Sequence, residues 1–125
     1  MIKTKSIYDK NPNGNDGLRI LIMRHHPRGV KKERYDYCLR ELSPSKDLLK
    51  RYNEGKIMWD VFKPEFIAEI KYNPHAHKAI IWIRDKNKTQ NITLLCKEKE
   101  GENCHRHIVK AIIEGRINLV IFPVV

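Results

Sequence analysis

Two short and mostly apolar runs constrain the fold more than any other feature of the sequence. Residues 17–23 read GLRILIM and residues 91–96 read NITLLC, and turn-forming or charged residues flank both. A strand without a polar face is typical of a parallel sheet that is covered on both sides. Helical patterns separate the two runs. The alternation predicts an α/β fold with three layers, in which helices flank a short, mainly parallel sheet.

Start and stop signals predict four helices, over residues 43–53, 60–72, 77–85 and from Asn103 or Cys104 to Glu114. Ser43 is the predicted N-cap of the first helix, with Pro44 at its first helical position. The third helix contains AIIWI, which could also form a strand. Weaker patterns predict strands over 3–9 and 118–125, a loop over 11–17 and an extended stretch over 35–42.

The length and charge of the chain bound its organisation and its partners. A chain of 125 residues predicts one domain over residues 1–125. Its 25 Lys and Arg residues against 15 Asp and Glu residues give a net charge of +10. This charge favours anionic partners, either a phosphate- or nucleotide-like small molecule or nucleic acid. Scattered basic residues that serve solubility remain an alternative, and the oligomeric state stays open.

Cysteine usage and the absence of long apolar runs suggest a compartment. Three cysteines, an odd number, are unlike a disulfide framework. No run approaches the about 20 apolar residues that a membrane span requires, and the N-terminal MIKTKSIYDK has no apolar signal core. We therefore expect a cytoplasmic protein with reduced thiols and no membrane partner.

The segment Cys104-His105-Arg106 stands at the predicted start of the last helix, eight residues after Cys96 at the end of a strand. A thiol at a helix N-terminus, with His and Arg beside it, has a lowered pKa. We predict Cys104 and His105 as catalytic residues and Arg106 as an anion-binding residue, because a guanidinium can hold a phosphate through two hydrogen bonds. Alternatively, Cys96 is an ordinary buried residue and Cys104 merely begins a helix.

A basic loop, MRHHPRG at residues 23–29, follows the first apolar run. In parallel sheets ligands bind beyond the carboxyl ends of the strands, where this loop and Cys104 both fall. We predict Arg24 and Arg28 as anion-binding residues, although a solvated basic turn is the alternative. Ser45, in the first turn of a predicted helix, is a further candidate for an anion.

The sequence gives no sign of a known cofactor. It contains neither a Gly-x-Gly-x-x-Gly loop nor a Walker loop, so the cofactor is left unknown. Thiol and imidazole ligands for zinc are available from several positions, namely Cys96, Cys104, His105, His107 and Cys38. Their spacing matches no familiar zinc finger. We therefore assign no metal ligand and keep a zinc-stabilised interaction module as an alternative.

Several motifs occur together in a fixed order. They are an Arg-x-x-Pro-Arg-Gly loop, a Ser-Pro-Ser helix start, a Trp-x-x-Phe helix and an aromatic residue before a glutamate, at Arg24–Gly29, Ser43–Ser45, Trp59–Phe62, and Phe66 with Glu69 and Ile70. This set resembles the family known as domain of unknown function 488, including its YeaO-like members. Residues 93–106, TLLCKEKEGENCHR, resemble its longer-chain branch, in which Leu-Leu-Cys precedes Cys-His-Arg. The resemblance covers about residues 3–113.

The sequence also departs from the YeaO-like members. Met23-Arg24-His25-His26 stands where they usually have Asp-Arg-Leu-Trp, and they generally lack the cysteines that follow Leu95 here. The resemblance implies a compact α/β domain and no established reaction. From the residues themselves we predict a small enzyme or ligand-binding domain for an anionic substrate. A nucleic-acid-binding accessory protein and the zinc-stabilised module are the alternatives, and whether the chain catalyses a reaction stays open.

Overall fold

The described part of the chain folds around one parallel sheet. The structure is a computed structural model that describes residues 1–9, 15–99 and 101–122. The strands are β1 (Ile2–Ser6), β2 (Leu18–Leu21), β3 (Tyr37–Cys38) and β4 (Ile92–Cys96). They lie in the spatial order β1-β4-β2-β3, and each neighbouring pair is parallel. The predicted α/β class and parallel sheet are confirmed.

The position of β4 inside the sheet explains its apolar sequence. It pairs with β1 from Ile2 opposite Ile92 to Ser6 opposite Cys96, and with β2 on its other side. All five residues of β4 are buried. Because the strands run in the same direction, Ser6, Leu21 and Cys96 end at the same edge of the sheet.

The four predicted helices are present. They are α1 (Lys46–Asn53), α2 (Trp59–Lys71), α3 (Pro74–Asn87) and α4 (His105–Ile113), and two 3-10 helices cover Lys32–Arg34 and Arg40–Leu42. The AIIWI segment is helical and lies within α3. None of the described helices has the length and apolar character that a membrane span needs.

The predicted N-cap of the first helix is wrong. Ser45, not Ser43, caps α1, because its Oγ accepts the backbone N–H of Leu48 at 3.1 Å. Ser43 lies before the helix, and its hydroxyl donates to the backbone oxygen of Arg40. Ser45 has extended backbone angles, φ −62° and ψ 157°, as an N-cap requires.

The predicted strand over 118–125 is not found in the described residues 118–122, and residues 123–125 lie outside the described part. Gly115, with φ 77°, turns the chain after α4. The apolar side chains that follow, Leu119 and Ile121, pack against the helical core. The apolar pattern that predicted a strand therefore reflects burial of these side chains, without any strand pairing. The predicted strand over 3–9 corresponds to β1, which covers Ile2–Ser6 and leaves residues 7–9 outside the strand. The extended stretch over 35–42 shortens to β3. Of the predicted loop over 11–17, residues 11–14 lie outside the described part.

Both faces of the sheet are buried, one by the helices and the other by the segment between β2 and β3. All four α-helices contribute to one core cluster, which includes Ile2, Ile20, Ile22, Ile92 and Leu94 from alternate strand positions. The opposite face carries a smaller cluster of Ile7, Leu21 and Leu95, covered by Met23, Val30, Tyr35 and Cys38. The segment between β2 and β3 therefore covers the second face, where the sequence led us to expect helices.

Candidate functional site

A buried thiol and imidazole group forms where β4 ends and α4 begins. Cys96 is the last residue of β4, and Cys104, with an extended backbone, is the residue before α4. The chain returns between them, so the two sulfurs lie 3.8 Å and 3.7 Å from Nδ1 of His105. All three residues are buried.

The imidazole of His105 is fixed in one orientation. Its Nε2 lies 2.5 Å from the backbone oxygen of Ile22, which can only accept a hydrogen bond. Nε2 therefore carries a proton, and Nδ1 faces the two sulfurs. The edge of the ring also packs against Phe66, with 5.6 Å between ring centres.

Glu98 completes this group. The thiol of Cys96 donates to its Oε2 at 3.0 Å, and Sγ of Cys104 lies 3.4 Å from the same oxygen. Burial raises the pKa of Glu98, but hydrogen bonds from the thiols and the nearby His105 outweigh burial and leave the pKa below its ordinary value. Glu98 was not among the residues predicted from the sequence. The sequence feature that could have indicated Glu98 is an acidic residue two positions after the cysteine that ends a strand.

The two thiols titrate in opposite directions. The hydrogen bond from Cys96, helped by His105 and opposed by burial, lowers the pKa of Cys104 to about 5. The hydrogen bond to Cys104, together with burial, raises the pKa of Cys96. The lowering at Cys104 has the direction expected from the sequence, but its first cause is the second thiol.

Arg106 has a structural contact that the sequence did not suggest. Its side chain is fully buried, and its Nη1 and Nη2 donate to the backbone oxygens of Glu98 and Lys99 at 2.7 Å and 2.8 Å. It therefore holds the loop that carries Glu98 against α4. Arg106 is not among the residues that line the cavity described next. Its predicted anion-binding role is untested and takes no part in the proposal below.

A cavity of about 370 Å³ opens at the carboxyl ends of β1, β2 and β4. Its walls include the basic loop at residues 23–28, Ser43 and Pro44, residues 96–98, and His105. Arg24, Arg28 and His105, predicted from distant parts of the sequence, thus face one space. Cys104 is not in the lining, and it contacts the cavity group through His105 and Glu98.

Hydrogen bonds hold the basic loop in place. Nε of Arg24 donates to the backbone oxygen of Pro44 at 3.0 Å, which ties the loop to the start of α1. Nδ1 of His26 lies 2.8 Å from the hydroxyl of Tyr35. Arg28 is exposed on the cavity wall, and Lys97 adds a cation from the opposite segment. Three cations and one carboxylate, Glu98, give the lining a positive balance.

Ser45 lies outside this cavity. It lines a smaller neighbouring pocket with Arg24 and Glu69. The backbone N–H of Ser45 donates to Oε1 of Glu69 at 2.9 Å, and its hydroxyl donates to Oε2 at 2.5 Å. With its oxygen also capping α1, Ser45 is fully engaged by the protein. Its predicted role in anion binding stays a prediction.

Two of the considered zinc ligands lie apart from the buried group. Sγ of Cys38 donates to the backbone oxygen of Met23 at 3.7 Å, beside the smaller core cluster. His107 lines a different pocket with Trp59 and Lys63.

The fold and the site define a class: a parallel α/β domain with paired cysteines and a histidine at the strand ends, next to a basic loop. The chain belongs to the DUF488 family, because the model described as "Active DUF488-N3 subclade" (DUF488-N3a) matches residues 2–117. This confirms the resemblance seen in the motifs. Among curated proteins, the chain is 31% identical over 106 residues to "Uncharacterized protein YeaO" of Escherichia coli (strain K12), covering 83% of this chain and 89% of that protein. The comparison with solved structures gave no match.

Proposed function

We propose that the chain binds an anionic small molecule of phosphate or nucleotide type in the strand-end cavity and presents it to the centre formed by Cys104 and His105. One observation carries this proposal: Arg24, Arg28 and His105 line the same cavity although they come from opposite halves of the sequence. Without that convergence, the basic loop would be a solvated turn.

The chemistry of the lining supports an anion as the ligand. Guanidinium groups are planar and match the oxygens of phosphates and carboxylates through paired hydrogen bonds. Within the described residues, Nε is the one donor of Arg24 in use, so both terminal nitrogens remain for a ligand. Arg28 and Lys97 add two more cations at the wall.

The size and position of the cavity also fit a small molecule. Its volume of about 370 Å³ falls in the range of about 300–1,000 Å³ that ligand sites occupy. It lies beyond the carboxyl ends of parallel strands, where α/β sheets bind ligands. The lining by Cys96 and His105 brings the anion next to groups that can react.

Isothermal titration with inorganic phosphate, pyrophosphate and nucleoside monophosphates at low salt tests the proposal. We expect Arg24→Gln and Arg28→Gln each to weaken the best-bound probe at least about tenfold, because one charged hydrogen bond contributes about 1.5–3 kcal/mol. Arg40→Gln is the matched control, since Arg40 is exposed and does not line the cavity. Failure of the wild type to bind any probe, or equal weakening by Arg40→Gln, would refute the proposal.

The nucleic-acid alternative rests on the net charge of +10 alone. Its test is a salt titration, in which log affinity should fall linearly with log salt concentration.

A further inference from the structure

The donor atoms at the end of β4 are arranged as a set of metal ligands. Within residues 1–9, 15–99 and 101–122, one group of three His, Cys, Asp or Glu side chains brings its ligand atoms within 4.8 Å of one another, and it consists of Cys96, Cys104 and His105. We propose that this group binds a single zinc-type metal ion, held by Sγ of Cys96, Sγ of Cys104 and Nδ1 of His105.

The distances between the donors match those around a bound zinc ion. With zinc–sulfur bonds of about 2.3 Å and zinc–nitrogen bonds of about 2.0–2.1 Å, neighbouring ligands of a tetrahedral site lie about 3.6 Å apart. Nδ1 of His105 lies 3.8 Å from Sγ of Cys96 and 3.7 Å from Sγ of Cys104. A metal ion can therefore enter with shifts of a few tenths of an ångström.

Glu98 lies beside the two cysteines of this set, although it is not one of the three mutually close donors. Its Oε2 lies 3.0 Å and 3.4 Å from the two sulfurs, so one carboxylate oxygen already faces both cysteines. Its side chain also lines the cavity. Cys96 and His105 line the same cavity, and all three donors of the set are buried side chains.

Neighbouring groups orient the ligands as they do in known metal sites. A metal-binding histidine usually donates its second ring N–H to a carbonyl or carboxylate. The Nε2–H of His105 donates to the backbone oxygen of Ile22, which leaves Nδ1 as the unprotonated ligand atom. Nη1 of Arg106 donates to the backbone oxygen of Glu98 and so fixes the backbone at that residue. Both contacts hold the donors in position before a metal arrives.

The ligand types select the metal. Two thiolates and one imidazole suit zinc and disfavour magnesium and calcium, which take oxygen ligands. On binding, each sulfur that still carries a proton releases it to the solvent as its bond to the metal forms. The metal site does not require the anion proposed above, and either can exist without the other.

Titration of the reduced, metal-free, full-length chain without a histidine tag with Co²⁺ tests this inference. We expect one equivalent to bind, with a thiolate-to-cobalt charge-transfer band and the intense visible absorption of tetrahedral Co²⁺. Zn²⁺ should then displace Co²⁺ and abolish both features. Anion binding is measured on the same metal-free protein, so the two proposals fail separately.

Variants assign the ligands. Cys96→Ser and Cys104→Ser should each weaken Co²⁺ binding at least about a hundredfold and reduce the charge-transfer intensity. Cys38→Ser is the matched control, because its sulfur contacts Met23, and it should keep the wild-type spectrum. Glu98→Gln should retain the charge-transfer band with weaker binding.

A second measurement distinguishes the loss of a metal ligand from a failure of the variant to fold. Circular dichroism establishes their helix content, and the Tm of the wild type should rise with Zn²⁺ concentration and fall with chelator. The inference is overturned if saturating Co²⁺ gives the wild type no charge-transfer band. It is also overturned if Cys38→Ser removes the band while Cys96→Ser keeps it.

Discussion

Gly17 sets how closely the start of β2 approaches β4. Its φ is +62°, and a Cβ added there would lie 2.1 Å from the backbone oxygen of Asn91. That oxygen accepts the N–H of Leu18, so it cannot move without breaking the pairing of the strands. A side chain at this position meets both an unfavourable backbone conformation and a clash.

We therefore expect Gly17→Ala to lower the free energy of unfolding by about 2–4 kcal/mol, the sum of a left-handed backbone penalty and overpacking. Gly55→Ala is the matched control, since Gly55 has φ +73° and nothing within 4 Å of an added Cβ. It should cost about 1–2 kcal/mol. Urea denaturation measures both, and equal losses would contradict the close approach at Asn91.

Arg106 is a second residue whose role depends on backbone oxygens. Arg106→Lys keeps the charge but cannot reproduce two hydrogen bonds in a fork, so the loop carrying Glu98 should loosen. We expect Co²⁺ affinity to fall about 10–100-fold, the usual effect of losing a group that orients a ligand. Arg84→Lys is the control, because Arg84 donates to the backbone oxygens of Ile112 and Ile113 at the other end of α4. The Co²⁺ affinity of Arg84→Lys should not change. A loss equal to that of Arg106→Lys would contradict a role of the Glu98 loop in metal binding.

Among the secondary-structure elements, α1 depends on one serine. The oxygen of Ser45 accepts the N–H of Leu48, and its hydroxyl donates to Glu69 on α2. Ser45→Ala should lower the free energy of unfolding by about 2–3 kcal/mol, because it removes an N-cap and a hydrogen bond to a carboxylate. Ser43→Ala should cost about 1 kcal/mol, since among the described residues the Ser43 hydroxyl donates to the backbone oxygen of Arg40 alone. Thermal denaturation that ranks Ser43→Ala as the more damaging change would contradict this capping.

The edge strand β3 is tied to β2 by a hydrogen-bonded ion pair. Arg19 donates to Asp36 from its backbone N–H and its guanidinium, and these bonds hold the pKa of Asp36 below its ordinary value. A depressed carboxyl pKa contributes stability above the unfolded pKa of about 3.9, and this contribution is lost as the pH falls through the folded value. The stability advantage of the wild type over Asp36→Asn should thus be full at pH 7 and disappear in acid.

Chemical denaturation at pH values between 2 and 7 measures that difference. Arg19→Gln serves as the control, because it removes the guanidinium bonds while leaving the carboxyl and its bond from the backbone N–H of residue 19 in place. A gap between wild type and Asp36→Asn that stays constant down to pH 2 would contradict the assignment.

The elements that the sequence predicted are those whose pattern depends on local spacing. Residues 17–23 and 91–96 are apolar because a strand is buried there, and α2 shows its buried face at helical spacing. The predicted extended stretch over 35–42 did not give the bounds of β3, because they are defined by pairing with Ile20 and Leu21. Leu119 and Ile121 are apolar for a different reason, which is packing against the core cluster.

The residues of the candidate site also differ in whether local sequence patterns predicted them. The strand-end rule placed Arg24 near His105, because parallel strands end together. The position of Glu98 depends on a loop held by Arg106, and the orientation of His105 depends on a carbonyl of Ile22. Neither contact can be inferred from the spacing of residues. The sequence therefore predicted the cysteines and His105 but not Glu98.

At the scale of the whole molecule, the cavity at the strand ends joins the basic loop after β2 to the thiol and imidazole group between β4 and α4. The net charge of +10 attracts anions to the surface in general. The proposed function is narrower, because it places a bound anion against Arg24 or Arg28 and beside His105.

A crystal structure of the chain grown with saturating pyrophosphate measures this directly. The account predicts pyrophosphate within hydrogen-bonding distance of Arg24 or Arg28, in the cavity that His105 lines. An empty cavity, or pyrophosphate bound instead at the pocket of Lys63 and Arg116, would contradict it.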